Sequence, residues 1–476
     1  MSPEAQKQPI LIIGAGPAGL SCAVKLADHG TPVHVFEASP HVGGLTRSLS
    51  LWGQTVDLGP HRFFSSDRIV NEHWRRFVGG GFTLVNRLTR ILYDRRLFRY
   101  PIEPRDAFHN LDLADVARSI ASYGYRRLRP IPSPKTFEDW VTNRFGSHLF
   151  ALFFKTYSEK VWGIPCARID ADWAAQRIKK LSLTEAVKSA VLGNRGGHKT
   201  LVDQFAYPTG GAGVVYQRMA EHVRAKGGQV QLSAPVRQVL QDETGAVCGL
   251  ELQDGSRHLS PRVVSTMPLT LMVKGLRGVP AEVQQACDRL RFRNTVLVYL
   301  EVDSPSLFPD NWIYVHAPEV QHGRITNFRN WSPSLSGGRP TTILCMEFWC
   351  FDQDALWTRD DAALGAQAER ELRQVALLPP GRQVLGTHVV RLQRSYPVYE
   401  VGYAEHLRRV QAWVDQVPGL LAIGRYGAFK YNNQDHSILM GLLAATELLS
   451  GSPQHLWDVN TDSTYLESAE VQRLFD

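Results

Sequence analysis

Apolar residues in this chain fall into short blocks, and the spacing inside each block changes along the sequence. Ile10–Ile13 (ILII) and Val33–Phe36 (VHVF) are brief continuous runs, the pattern of strands covered on both faces. Between them, Leu20–His29 reads as a helix, so the chain opens on a β–α–β unit. Gln229–Gln238 predicts a strand and a turn. Val247–Gln253 and Arg257–Thr266 alternate as two strands around the turn Asp254–Gly255, and Val263–Pro268 (VVSTMP) reads as a strand returning to the opening unit. Gly419–Gly424 (GLLAIG) predicts another buried strand, then a loop and a helix over Ile438–Leu449. Of the intervening stretches, Arg90–Gln204 reads as helix-rich, whereas Leu269–Pro418 mixes strands (Thr295–Val302, Thr341–Trp349) with a helix over Ala355–Val375. The expected class is α/β. One discontinuous domain is assembled from 1–89, 205–268 and 415–476, and a second α+β domain from 90–204 and 269–414 is interleaved with it.

The turn after the first strand carries Gly14, Gly16 and Gly19 in the spacing GxGxxG, and Glu37 ends the second strand 18 residues past Gly19. Gly14 permits a tight turn, Gly16 lets a pyrophosphate approach the backbone, and Gly19 lets helix and strand pack closely. The following helix N-terminus offers free N–H groups and partial positive charge to that pyrophosphate. A carboxylate at Glu37 can accept hydrogen bonds from ribose hydroxyls. A glycine turn alone is a weak signal; strand, helix, second strand and terminal acid in register predict a dinucleotide site.

At 476 residues, 43% hydrophobic and 21% charged, the chain is long enough for two globular cores. No apolar stretch approaches the ~18 residues of a membrane span, and the opening MSPEAQKQ lacks a signal-peptide core. A cytoplasmic protein is expected. The six scattered cysteines have no metal-ligand spacing; they read as reduced thiols, and no metal site is expected. The net charge of +7 favours anionic partners, with basic residues concentrated in Arg87–Arg99 and Tyr123–Arg129. Those segments read as a solvated face, or as a docking surface for a phosphate-bearing substrate or an anionic membrane. No nucleic-acid module is present, so nucleic acid is not an expected partner. GxSxG, HExxH and GxxxxGK[ST] are absent too, which leaves the chemistry to a bound cofactor.

Gly43 and Gly44 follow Glu37 closely, and Thr46, Arg47 and Ser48 come next. This second glycine pair resembles the FAD-containing amine oxidase superfamily, although Leu45 stands where many relatives have Arg or Asn. The resemblance implies FAD and a Rossmann-like FAD-binding domain of the GR2 type, with Gly43 and Gly44 passing close to the dinucleotide. Four stretches further resemble one branch, the UDP-galactopyranose mutases: Asp57–Ser66 (DLGPHRFFSS), Asn86–Pro101, Lys155–Gly163 (KTYSEKVWG) and Gly424–Asp435 (GRYGAFKYNNQD). Phe205–Val214 and Tyr396–Tyr403 have the look of flavoproteins related to protoporphyrinogen oxidase.

By this similarity His61 lies beside the flavin ring as the candidate catalytic residue. Tyr157 stacks on a uracil or other flat group, Trp162 walls a sugar-sized cavity, and Tyr431 contacts a substrate diphosphate. Val236 meets the adenine end of FAD through its backbone, and Gly424, Arg425 and Asp435 belong to a C-terminal flavin loop. Phe64 and Thr184 depart from the mutase pattern, Thr184 replacing an arginine that grips the diphosphate. Arg177, Arg324 and Arg329 are the candidate replacements, Arg177 foremost. The expected ligand is a small molecule, with a nucleotide sugar or lipid-linked sugar foremost, and peripheral membrane contact and oligomeric state are left open. Three chemistries compete: a flavin oxidoreductase on a phosphate-bearing sugar, a redox-neutral mutase-like isomerase using reduced FAD, and a porphyrinogen or isoprenoid oxidase.

Overall fold

The computed structural model describes residues 8–100, 102, 106, 110–173 and 204–460. The expected helix around Ala174–Leu183, with Arg177 and the Thr184 position, lies outside them.

Five parallel strands form the first sheet, in the order Leu420–Ala422, Val263–Ser265, Ile10–Ile13, Val33–Phe36, Gln229–Gln231. The four residues of Ile10–Ile13 are all buried, as central parallel strands must be. On one face pack the helices Pro17–Asp28, Gly213–Ala225 and Gln434–Ser450, which share one core with Arg68–Val78. On the other lie a three-stranded antiparallel sheet (Val236–Gln241, Val247–Leu252, Arg257–Leu259) and the helices Ala281–Arg289 and Tyr403–Val414. The helices Pro17–Asp28 and Gln434–Ser450 touch backbone to backbone: a Cβ on Gly441 would lie 2.2 Å from the Ala18 carbonyl oxygen.

A seven-stranded sheet forms the second layer system, in the order Val384–Pro397, Phe292–Val302, Thr342–Cys350, Arg324–Asn327, Trp312–Val315, Thr89–Tyr93, Arg96–Arg99. One face packs on the helix Asp361–Gln374 around Val298, Leu344 and Leu372. The opposite face, with Leu297, Tyr299 and Trp312, packs on Val56, Leu58, Phe205 and Tyr207.

Several boundaries differ from the sequence pattern, each for a local reason. Arg257–Thr266 is two strands in two different sheets. Pro261 has no N–H to continue a ladder, and the Ser260 hydroxyl accepts from the Arg262 N–H at 3.1 Å in the bend between them. The first helix starts at Pro17, directly on the glycine turn, where a missing N–H costs nothing. The last helix starts at Gln434, a turn earlier than its apolar run, so Asp435 sits in its first turn. Ala355–Val375 breaks in two because the Asp360 carboxylate caps a new helix through the Ala363 N–H at 2.8 Å. Arg90–Gln204, by contrast, follows expectation: Asn86–Pro101, which by its resemblance implied a strand pair, forms the hairpin Thr89–Tyr93/Arg96–Arg99, and helices follow it.

Candidate functional site

One continuous cavity of about 860 Å³ runs from the glycine turn, beneath one face of the seven-stranded sheet, to a chamber of aromatic side chains. Its two ends are built differently.

At the first end the wall is backbone. Gly14 has φ +99°, and a Cβ there would lie 2.0 Å from Thr266 Oγ1, which itself donates to the Ile13 carbonyl at 2.8 Å. Gly16 caps the first helix, and its Cα faces Gly44: a Cβ on Gly44 would reach within 3.3 Å of it. Gly19 lies behind the turn, where a Cβ would meet the Gly14 carbonyl oxygen at 2.0 Å. Gly43 also sits behind the wall, its N–H donating to the Ala15 carbonyl at 2.8 Å. Glu37 is held by two backbone donors, Ala15 N–H to Oε2 at 2.8 Å and Ser39 N–H to Oε1 at 2.9 Å. Each carboxylate oxygen keeps a lone pair for a further donor. A side-chain-free groove, the open end of a helix and a fixed acceptor carboxylate fit the pyrophosphate and ribose of a dinucleotide. Val236, Gln253 and Gly424 line the same stretch.

In the second half of the cavity the wall is rings. Ser147–Phe150, the π-helical Ala151–Lys155 and Thr156–Trp162 follow one another directly; such π segments recur at functional sites. They bring in Tyr157, which stacks on His316 with centroids 5.0 Å apart and meets Tyr314 and Trp349 edge-on. Trp162 is fully buried against Trp173, Tyr396, Tyr399 and Tyr431. Lys160, between them, donates to the carbonyls of Val315, Ala317 and His322 and so pins this helix to the loop after Trp312–Val315. Burial pushes its pKa down to about 8.

Arg425 packs against a pair of rings whose centroids are 5.4 Å apart, its guanidinium carbon 4.7 Å from the Tyr396 centroid and 4.5 Å from that of Tyr431. Its Nε and Nη1 donate to the carbonyls of Ser395 and Asn432. The Tyr431 N–H donates to the Tyr399 hydroxyl at 2.7 Å, which fixes the loop that carries it. His61 lines the cavity between these ends, its Nδ1 3.1 Å from the Gly59 carbonyl. Burial, and then the nearby positive charge of Arg324, hold its pKa down at about 3, so the imidazole is neutral at ordinary pH. Gln434 Nε2 donates to the backbone carbonyls of His61 and Arg62, joining this loop to the last helix. Asp435 is buried on that helix and lines the cavity.

Of the residues singled out from sequence, the cavity wall brings together Gly14, Gly16, Glu37, Gly44, His61, Tyr157, Trp162, Val236, Gly424, Arg425, Tyr431 and Asp435. Arg329 is elsewhere: its guanidinium donates to the carbonyls of Arg339 and Thr341, which corrects its candidacy. Arg324 does line the chamber, yet it forms a two-pronged buried pair with Glu347, at 2.5 and 2.6 Å. Its charge is therefore largely compensated within the protein.

Glu347 was missed from sequence, although a lone acid in the apolar run TILCMEFWC is a visible signal. Tyr396, His316, Trp312 and Trp349 were missed for want of any such contrast. Burial keeps the hydroxyls of Tyr157 and Tyr396 protonated far beyond ordinary pH, so both are hydrogen-bonding groups without charge. The indole nitrogens of Trp162, Trp312 and Trp349 are buried without a partner among the described residues. Each is a donor only, and leaving one unpaired costs about 1–3 kcal/mol.

Comparison with known proteins agrees with this geometry. The sequence model of a family described as flavin containing amine oxidoreductase matches residues 17–449. A probable UDP-galactopyranose mutase of Klebsiella pneumoniae is 28% identical over 168 residues, which is 34% of this chain and 43% of that protein. The chain thus aligns with less than half the length of that relative. The coproporphyrinogen III oxidase of Mycobacterium tuberculosis is 22% identical over 437 residues, covering 87% of this chain and 92% of that one. Among solved structures, a reduced UDP-galactopyranose mutase superposes with a TM-score of 0.85 at 23% identity, covering 98% of both chains. A putative protoporphyrinogen oxidase from Exiguobacterium sp. 255-15 gives 0.72 at 18% identity, covering 94% of this chain and 99% of that one. At these identities the superpositions establish the shared fold.

Proposed function

Because the chain belongs to the flavin containing amine oxidoreductase family, we propose that it is an FAD-dependent oxidoreductase acting on a polar, phosphate-bearing, sugar-type substrate. FAD is the dinucleotide of this family, and Gly14, Gly16, Gly44, Glu37, Val236 and Gly424 are the residues that would hold it. When bound, FAD supplies an electron-accepting ring or, in its reduced form, a nucleophile toward an anomeric carbon.

The protein's own contribution is binding and orientation. Tyr157, Trp162, Tyr396 and Tyr431 give flat faces for a base or sugar ring. Arg425, whose side chain donates to the carbonyls of Ser395 and Asn432, offers an anion-gripping group beside two of those faces. The unpaired indole donors favour a ligand rich in acceptor oxygens. His61, held neutral, adds a polar group beside the cofactor loop without adding charge.

The observation that carries this reading is Arg425 packed against the paired rings of Tyr396 and Tyr431 at the wall of an aromatic chamber. The test is titration of the FAD-loaded protein with UDP and UDP-sugars while recording the flavin spectrum. Saturable perturbation, weakened by Arg425→Leu without loss of flavin, supports the reading. No response to any nucleoside diphosphate or its sugar, with anaerobic bleaching by a porphyrinogen, would overturn it.

A redox-neutral, mutase-like isomerisation is the second reading. It is favoured by the convergence of Tyr157, Trp162 and Tyr431 on one chamber. Product formation from a UDP-sugar only after dithionite reduction, with no net electron transfer, separates it from the first.

A further inference from the structure

The helix Leu113–Leu128 is amphipathic with its faces reversed. A surface helix ordinarily hides its apolar stripe and shows its polar one. Here Leu113, Ile120, Tyr125 and Leu128 are 87%, 60%, 53% and 85% exposed. On a helical projection they share one side with the exposed Ala117 and Ala121. Toward the protein the helix turns Asp115, Ser119 and Ser122, with the half-buried Val116 and Tyr123 beside them. Ser119 is its single buried residue. Asp115 pairs with His148 at 3.1 Å, and the Ser122 hydroxyl accepts from the His148 N–H at 3.3 Å.

The contact is close because Gly146 has no side chain: a Cβ there would lie 2.6 Å from the Tyr123 nitrogen. Sixteen residues therefore stay helical while four large apolar side chains face outward, against the usual hydrophobic preference. The apolar side is edged by Arg118, Arg127 and Arg129, all exposed. Arg96 ties the neighbouring hairpin to the helix start through Asp112 and the Asn110 carbonyl. No described helix is long and apolar enough to cross a membrane, so this is a surface for lying on an interface.

We propose that the outer face of the 113–128 helix docks on an anionic lipid surface. Its leucines, isoleucine and tyrosine enter the acyl boundary, and its arginines meet the lipid phosphates. Charge complementarity selects this occupant: a second copy of the chain would set arginines against arginines across a two-fold contact. The helices beneath it, Phe137–Phe145 and Ser147–Phe150, lead into the apolar flank of the cavity, which Phe137, Phe153 and Phe154 line. Docking thus brings that flank near the lipid. The surface is defined without reference to the substrate, so its failure would leave the reading of the cavity standing.

The experiment is flotation of the full-length, flavin-loaded protein with vesicles of phosphatidylcholine alone or in equimolar mixture with phosphatidylglycerol. The expected result is flotation with the mixed vesicles only, weakening as salt rises. The triple variant Leu113→Glu/Ile120→Glu/Leu128→Glu should lose about tenfold or more in partitioning, with flavin content and circular dichroism unchanged. Arg127→Glu/Arg129→Glu should lose less, and most of the salt dependence with it. Absence of flotation with mixed vesicles at low salt would overturn the proposal. So would a triple variant that floats like the wild type, or a wild-type dimer that the triple variant converts to monomer.

Discussion

The two ends of the cavity achieve recognition by opposite means. Around Gly14, Gly16 and Gly44 the protein withdraws its side chains and lets backbone and helix terminus meet the ligand. Around Tyr157, Trp162, Tyr396 and Tyr431 it fills the wall with rings and places one guanidinium among them. The first device tolerates little variation, because an added side chain meets Thr266 at Gly14, presses on the Gly16 Cα from Gly44, or extends into the groove itself from Gly16. The second tolerates exchange of one ring for another, since its surface is set by packing rather than by chain path. That contrast explains why family members can share a cofactor and differ in substrate.

The largest expected effect lies at the backbone end. Gly14→Val would place a branched side chain at φ +99° and onto Thr266, so the protein should be recovered without flavin and with a much lower melting temperature. Retention of stoichiometric flavin would erase the distinction between the two ends.

Next comes the ion pair under the chamber. Glu347→Gln leaves Arg324 buried without its counter-charge, which should cost about 3–5 kcal/mol in chemical denaturation. The double variant Arg324→Met/Glu347→Leu should recover most of that loss. An equally unstable double variant would show that packing, not charge, is what the pair supplies.

A pH-dependent effect follows at Asp57, which accepts from the hydroxyls of Ser48 and Tyr207 and which burial pushes up from 3.8 to about 7. The folded state holds this proton more tightly than the unfolded one. Its contribution is therefore full below pH 3.8 and is lost as pH rises through about 7. Wild-type stability should fall across that window relative to Asp57→Asn and run parallel to it above; parallel curves throughout would contradict the assignment.

The smallest effect is expected at His61. His61→Ala should keep its flavin but shift the flavin midpoint potential. Since burial holds the ring neutral down to about pH 3, that shift should be the same at pH 6 and pH 8. A shift that changes between those pH values would mean the ring titrates there.

The same contrast governs what could be read from sequence. The cradle was legible because its requirements fall on consecutive residues: Gly14, Gly16, Gly19 and Glu37 are fixed by turn, helix and strand lengths within one β–α–β unit. The strands VVS and LLA were legible as short buried runs, and both joined the predicted sheet, VVS beside Ile10–Ile13 and LLA beside VVS. The chamber was legible only where a resemblance pointed, at Tyr157, Trp162 and Tyr431. Trp312, His316, Trp349 and Tyr396 come from separate strands of the seven-stranded sheet and the loops between them, and nothing local marks one buried aromatic as facing a cavity. The change of sheet at Pro261 was legible in part, since VVSTMP read as a strand returning to the opening unit; the point where Arg257–Leu259 ends was not marked by the pattern.

One measurement bears most directly on the claim that this glycine groove holds FAD. Purified wild type and Gly16→Val should be compared by flavin absorbance per chain alongside circular dichroism. Gly16 has room for a Cβ, 3.8 Å from the Gly44 Cα, so the variant should fold, but its branched side chain would occupy the groove. The account predicts one yellow FAD per wild-type chain and a folded, colourless variant. A wild type that neither carries nor takes up flavin, or a variant as yellow as the wild type, would contradict it.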